Sequence, residues 1–573
     1  MLAITLNPGF VPILAALAVL AAPRMLRAPT IAGAALLALW LLLDREFGAA
    51  ARVAQMGLPV VLLNLDALNR IFGIALLLAL IIIAVFSSSR RNRYEDAAIL
   101  SLAGGTVSAL FVGDLISFVA AAAFAGLAAA WTVFASPLPG ANRAGVRLLI
   151  WHGIEGLLFL VGVAFQLRAG AESSVFARLD VDTLGGGFIF AALMIRVGAP
   201  LAHVWLKDVV AHASPAGGAA LSVFSSMLGV YALARFFPSE TLLAPIGAAM
   251  IVIGVVFAAA KDDLRAGAAY GLMAQTGVCV ALIGAGSPLA MAAAEGHAFT
   301  SIFAFLALLM ALGAILERTG NARISSMTGL ARTMPLSVGL LLVSGLAVSA
   351  TPGLAVYATH TVALDATAQW PLRWLWLMIA ATPAVLFVAL VLRPVLTANL
   401  QTVAAKPKAH PIAEAPFTML LGAALASFFC ISIGLAPGWL YGLMPADLAF
   451  QPYALDRVAP RLETLGAAGV AFVLLRATGV AAKERAVSLL DIDALYRGPL
   501  ASAGRWAGVV MLRFYGAWQA ALSAASNWAA RAFTAWTRSC DRPYAESPVT
   551  SGAAAPLAAL AVFMAVMFFA RVM

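Results

Sequence analysis

The sequence predicts an all-α polytopic membrane protein with roughly 14–16 transmembrane helices, at about 20 residues per span plus loops. Three observations carry that prediction. Of 573 residues, 63% are hydrophobic and 11% charged, against about 45–50% and about 25% in soluble domains. The apolar runs are spread over the whole chain rather than gathered in one anchor. The few ionisable residues inside those runs collect in a handful of spans, as in proteins that move ions. Together these exclude a soluble enzyme, a disordered chain and a soluble body on a single anchor.

Apolar runs lie near 8–23, 29–43, 70–86, 97–112, 114–134, 146–166, 186–206, 218–237 and 242–260. They continue near 268–284, 289–316, 335–357, 374–398, 416–436, 463–478 and 554–570. The expected organisation is N-terminal helices over 1–95 and a helical core over 96–400. C-terminal helices over 401–478, an amphipathic segment over 479–545 and a final span over 546–573 follow. The first run lacks a basic start and reads as a true span rather than a cleaved signal. The seventh holds Arg196, Pro200, His203, Lys207, Asp208 and His212, then Pro215 and Gly217-Gly218. Breakers and charges at membrane depth survive only where they face protein or water, so a broken helix is expected. Thr351-Pro352-Gly353 marks a second break. In the 479–545 segment, Trp506, Phe514, Tyr515, Trp518, Trp528 and Trp536 mingle with Arg505, Arg513, Arg531 and Arg538. That mixture suits a helix lying along the membrane surface; an ordinary loop helix is the alternative.

Short positive loops stay in the cytoplasm. Arg24 and Arg27 occupy the first loop, Arg90, Arg91 and Arg93 the third, and Arg143 the fifth. The N-terminus is therefore expected outside, with the chain in an inner (cytoplasmic) membrane. The +10 balance fits anionic lipid rather than nucleic acid.

Ionisable residues within spans are costly and are functional candidates. The sixth run carries Arg147, His152 and Glu155, the last two sharing a helix face. Arg196, His203 and Lys207 form a stripe at helical spacing, with Asp208 beside it. Glu295 and His297 lie in the eleventh run, His360 and Asp365 at the end of the twelfth. Blander readings stand beside these: Arg147 snorkelling at a membrane edge, Glu295 as an acid near a helix N-terminus, His360 hydrogen-bonded to a carbonyl. Walker, GxGxxG, HExxH and paired CxxC motifs are absent, and Cys279, Cys430 and Cys540 are far apart. No cofactor and no metal are expected on this chain.

The stretch Pro200-Leu-Ala-His203-Val-Trp205-Leu-Lys-Asp208, through His212-Ala-Ser-Pro215 to Gly229-Val-Tyr231-Ala-Leu-Ala-Arg235, resembles a family signature. That family is the antiporter-like membrane subunits shared by respiratory complex I (NADH:quinone oxidoreductase) and Mrp-type cation/proton antiporters. Lys261-Asp262-Asp263-Leu264-Arg265, Gln275-Thr-Gly277, His297, Arg318-Thr-Gly320, Gly329-Leu-Ala-Arg332 and Thr351-Pro352-Gly353 continue the match, over roughly residues 60–400. The resemblance implies two inverted five-helix repeats, each with a broken helix. It also implies a polar proton path, partner membrane subunits and membership of a multisubunit ion-translocating complex.

Aligned on Gly113-Asp114-Leu115, the family's membrane glutamate falls on Ala123. The family's lysines fall on Arg196, Met227, Phe305 and His360, and its second histidine on Ser301. Arginine does not release its proton in a protein, so Arg196 is a poor relay. The path candidates are Glu155, Arg196, His203, Lys207, Asp208, His297 and His360, with Arg147, His152 and Asp114 in support. Glu155, partnered by Arg147, is expected to replace the lost glutamate, and Lys207 the lost lysine. Asp491-Ile-Asp493-Ala-Leu-Tyr496-Arg497 is similar to a short motif of some Mrp-type subunits.

The leading expectation is proton or cation/proton translocation within such a complex. A non-conducting structural subunit is the alternative, and the membrane subunit of an inorganic-carbon uptake system is third. In a respiratory assembly the chain would belong to a quinone oxidoreductase without doing redox chemistry itself.

Overall fold

Short polar residues start many of the helices, because each can satisfy a backbone N–H that the first turn leaves unpaired. Asp66 and Asn69 form a reciprocal capping box. Asn92, Asp114, Thr183, Ser214, Asp263 and Ser287 cap later helices in the same way. The computed structural model describes residues 6–399, 413–478 and 496–540, apart from 56, 90–91, 171, 173–174, 370, 445–447 and 449.

From the N-terminus the helices are α1 (Phe10–Ala21), α2 (Arg24–Leu43), α3 (Ala67–Ser87), α4 (Arg93–Phe111), α5 (Leu115–Phe134) and α6 (Ala141–Leu167). The seventh expected span is split into α7 (Leu184–Arg196) and α8 (Val204–His212). Next come α9 (Pro215–Phe236), α10 (Leu243–Ala260), α11 (Leu264–Ala285) and α12 (Pro288–Thr319). The twelfth span is split into α13 (Pro335–Val348) and α14 (Ala355–Thr367). α15 (Arg373–Asn399, with one π turn), α16 (Phe417–Leu435) and α17 (Leu455–Ala477) complete the bundle. Among the described residues eleven helices are long and apolar enough to cross a membrane. Three shorter apolar helices, α1, α7 and α13, accompany them. The chain is a multi-pass helical membrane protein.

α9, α11 and α12 are buried throughout their most apolar stretches and form the centre. α10 and α11 meet along small residues. A Cβ at Gly247 would sit 2.4 Å from Ala281 N, and one at Gly277 would sit 2.7 Å from Gly247 O. Close backbone approach of this kind replaces the hydrophobic drive that lipid cannot supply.

The α2–α3 loop, which carries Asp44, Arg45, Glu46 and Arg52, folds as an antiparallel hairpin of β1 (Gly48–Gln55) and β2 (Leu58–Leu65). Pro59, Val61, Leu63 and Leu65 point inward with the two-residue period of a strand. Gly113 N donates to Val61 O at 2.8 Å and ties the hairpin to the start of α5.

Residues 1–489 and 490–573 are separate compact units. In the second, α18 (Ala501–Cys540) is one helix of 40 residues. At about 100° per residue, Trp506, Val510, Phe514, Trp518 and Trp528 share one arc of the helix, and Arg505, Arg513, Arg531 and Arg538 share the arc flanking it. The expected final span and the acidic motif at Asp491 and Asp493 lie outside the described residues.

Candidate functional site

The first break runs from Val197 to His203. Gly198 takes φ +70° and Leu201, unusually for a branched residue, φ 76°. Trp205 Nε1 reaches back across the gap to Ile195 O at 2.9 Å. α7 therefore ends with Arg196 aimed at α6. Gly229 of α9 makes room for this, since a Cβ there would meet Arg196 Cγ at 2.9 Å.

Glu155 is fully buried and its two oxygens are both taken. Arg196 Nε donates to Oε1 and His152 Nδ1 donates to Oε2, each at 2.6 Å. Arg196 Nη2 reaches Ala122 O at 3.1 Å, and Nη1 has no protein partner. His152 Nε2 is likewise unpartnered, with the His152 ring 5.6 Å from that of Trp205. The expected partner of Glu155 was Arg147, but Arg147 pairs with Asp208 at 2.7 Å. Ala123 is exposed, and Arg196 meets α5 one residue earlier.

The stripe of Arg196, His203 and Lys207 is not one helix face, because the break lies between the first two. His203 is buried with its ring 5.9 Å from Tyr270 of α11, and Lys207 is buried on α8. Asp114 serves architecture. It accepts from Ser117 N and from Val61 N, both at 2.8 Å, capping α5 and anchoring β2. Asp114→Ala should cost about 2 kcal/mol, a lost cap plus an unpaired buried N–H. Thermal unfolding of the purified chain should register that loss.

The second break carries positive φ at Ala350 (47°) and Gly353 (90°). Gln275 of α11 donates from Nε2 to Val348 O at 2.9 Å, which makes its Oε1 an acceptor. His297 Nε2 must then be the donor to that oxygen, at 2.8 Å. Nδ1 lies 3.3 Å from Thr359 Oγ1, which is 2.9 Å from Thr300 Oγ1. The His297 and His360 rings are 6.3 Å apart. His360 does make the carbonyl hydrogen bond of its blander reading, from Nε2 to Ile379 O at 3.0 Å. Its Nδ1 faces Arg461 of α17.

Sequence reading missed Gln275, Thr359 and Arg461. Gln275 lies within a matched motif, and its amide in a mostly apolar stretch was the available signal. Met227 and Phe305, at two of the family's lysine positions, are fully buried. Beside them, Ser225, Ser226 and Ser301 are fully buried with hydroxyls that meet no protein partner. Among the described residues no group of three His, Cys, Asp or Glu is placed to hold a metal ion. The arrangement offers two polar clusters, each at a helix break. The first is an acid with two basic partners, the second two neighbouring imidazoles, His297 and His360, each with its own hydrogen-bond partners.

The family model described as NADH:quinone oxidoreductase/Mrp antiporter, TM, matches residues 114–386. Subunit N of the NADH-quinone oxidoreductase of Desulforudis audaxviator is 27% identical, over 50% of this chain and 62% of that protein. Chain 4 1 of the NAD(P)H-quinone oxidoreductase of Synechococcus elongatus is 26% identical, over 39% and 45%. The chain spans about half the length of the curated relatives it matches. Among solved structures, a chain of the Mrp complex from Dietzia sp. DQ12-45-1b superposes with TM-score 0.73 at 21% identity, covering 99% of this chain and 66% of that one. A chain of respiratory complex I from Thermus thermophilus gives 0.68 at 20%, covering 80% and 99%. The signature around His203, the two breaks and the fold are therefore similar to those of the antiporter-like membrane subunits of complex I and Mrp antiporters, with the family match confined to residues 114–386.

Proposed function

We propose that this chain is an ion-translocating subunit of a multisubunit membrane complex, moving protons or exchanging protons for cations. One observation carries the reading. Glu155 of α6 holds the basic group at 196 in a buried pair, and in this reading it stands in for the acid missing from α5. Buried charges are expensive in a bilayer and persist where ions pass. Arg196 keeps its proton and so sets the field around Glu155 and His152, which exchange theirs. The buried hydroxyls of Ser225, Ser226 and Ser301 are sites where water would bridge the positions of the lost lysines.

The two breaks lie five spans apart, an odd number. Successive spans alternate in direction, so the broken helices run oppositely, which supports two inverted repeats. The N-terminus outside, an inner-membrane location and α18 lying along the membrane surface belong to the same reading. Other membrane subunits are its partners.

Buried Met227 and Phe305 favour a second reading, a subunit that keeps the fold and conducts nothing. Lys207→Met separates the two. The complex is purified with its native partners and placed in lipid vesicles containing a pH-sensitive dye. Ion transport predicts that proton flux falls at least about tenfold, the effect of losing one proton-transfer group. A structural role predicts an assembled complex with wild-type flux, and that result would sink the proposal.

A further inference from the structure

Both ring nitrogens of His360 are committed. Nε2 donates to Ile379 O, so Nδ1 is the bare acceptor. Arg461 Nη2 donates to it at 2.8 Å. Arg461 lies on α17, beyond the matched residues 114–386. It is 5% exposed, and its Nη1 reaches Ala380 O at 3.4 Å. Its Nε is buried without a partner.

Arg461 also borders a cavity of about 220 Å³ lined by Thr361, Asp365, Trp376, Asp456 and Arg457. That volume holds several waters at about 30 Å³ each. Asp456 is exposed, so the cavity reaches the surface at the first turn of α17. Asp365 holds Arg457 at 2.6 Å. The guanidinium thus stands between a buried imidazole and an open polar cavity with two carboxylates on its wall.

We propose that Arg461 is a positioning residue that latches the second polar cluster. In the arrangement seen it keeps His360 neutral and separates it from the cavity; swung toward Asp365 and Asp456, it frees Nδ1. The freed lone pair then takes a proton from water on the His297 side and releases it from the same nitrogen to water in the cavity. Nε2–H stays on Ile379 O throughout. The inference rests on the ion-transport reading and names the outlet of that path. The titratable and charged groups around His360 are His297 on α12, Tyr357 and Asp365 on α14, and Asp456, Arg457 and Arg461 on α17. α11 contributes Gln275, and α15 the Ile379 carbonyl.

The test uses the full chain with its co-purifying partners in phosphatidylethanolamine–phosphatidylglycerol bilayers. ¹⁵N-histidine NMR, with His360→Asn for assignment, reads the ring directly. Wild-type His360 should stay neutral, protonated at Nε2, through the pH range where ordinary histidines titrate. Arg461→Met should make His360 titrate and raise passive proton leak into vesicles at least about tenfold, since an unblocked transfer group is worth that much or more. Arg461→Lys, which can still donate to Nδ1, should stay near wild type in both. A wild-type His360 that gains charge across that range overturns the latch, and this arm stands whatever Arg461→Met does to folding. Titration in Arg461→Met without leak also overturns it. The transport reading fails separately, on wild-type flux in Lys207→Met.

Discussion

Glu155→Gln is expected to destabilise the folded chain by about 3–5 kcal/mol, because it leaves Arg196 buried without its partner. Gln retains the size of Glu and an acceptor oxygen, so the loss isolates charge rather than packing. Both carboxylate oxygens are in use, toward Arg196 and His152. Neutralising both members of a buried pair is far milder than removing one. Glu155→Gln with Arg196→Gln should therefore recover most of the stability. Transport should not return with it, since the exchangeable acid is still missing. Thermal unfolding of the detergent-purified variants measures the first effect and dye-reported flux in vesicles the second. Equal melting of wild type and Glu155→Gln would mean that the pair does not carry a buried charge.

The parts of this fold that sequence revealed are those written in local chemistry. Long apolar runs became helices, and both breaks were marked by proline and glycine. The His152–Glu155 contact followed from spacing on one helix. What escaped notice depended on tertiary approach or on diluted patterns. Arg147 was the expected partner of Glu155, and only the docking of the end of α7 on α6 puts Arg196 there instead. The stripe through Arg196, His203 and Lys207 assumed an unbroken helix across residues that were themselves read as a break. Arg461 was missed because Asp456, Arg457, Arg461 and Glu463 hide the first turns of α17, whose apolar run begins near residue 463. The hairpin was missed because Gly48–Gln55 is alanine-rich and has little strand propensity.

Two glycine substitutions on neighbouring helices should move stability in opposite directions. Gly434 near the end of α16 lies directly against the second break. A Cβ there would sit 2.2 Å from Gly353 O and 2.5 Å from Leu354 Cα. These are backbone atoms and cannot rotate aside. Gly353 already sits at φ +90°, so the segment has little freedom to retreat without losing that conformation. Gly434→Ala should cost about 1–3 kcal/mol, the range for overpacking. The strain would be relieved at Thr351–Leu354, next to the Val348 carbonyl that holds Gln275 and through it His297. Transport should fall along with stability. Gly339 of α13, on the other side of the same break, is exposed with open space where a Cβ would go. Gly339→Ala removes only backbone freedom in a helix and should stabilise by up to about 1 kcal/mol. The signs of the two melting shifts, measured in one detergent, test the packing of α16 on the break. If Gly434→Ala melts at or above wild type, α16 does not rest on Gly353, and the break is held by α11 and α14 alone.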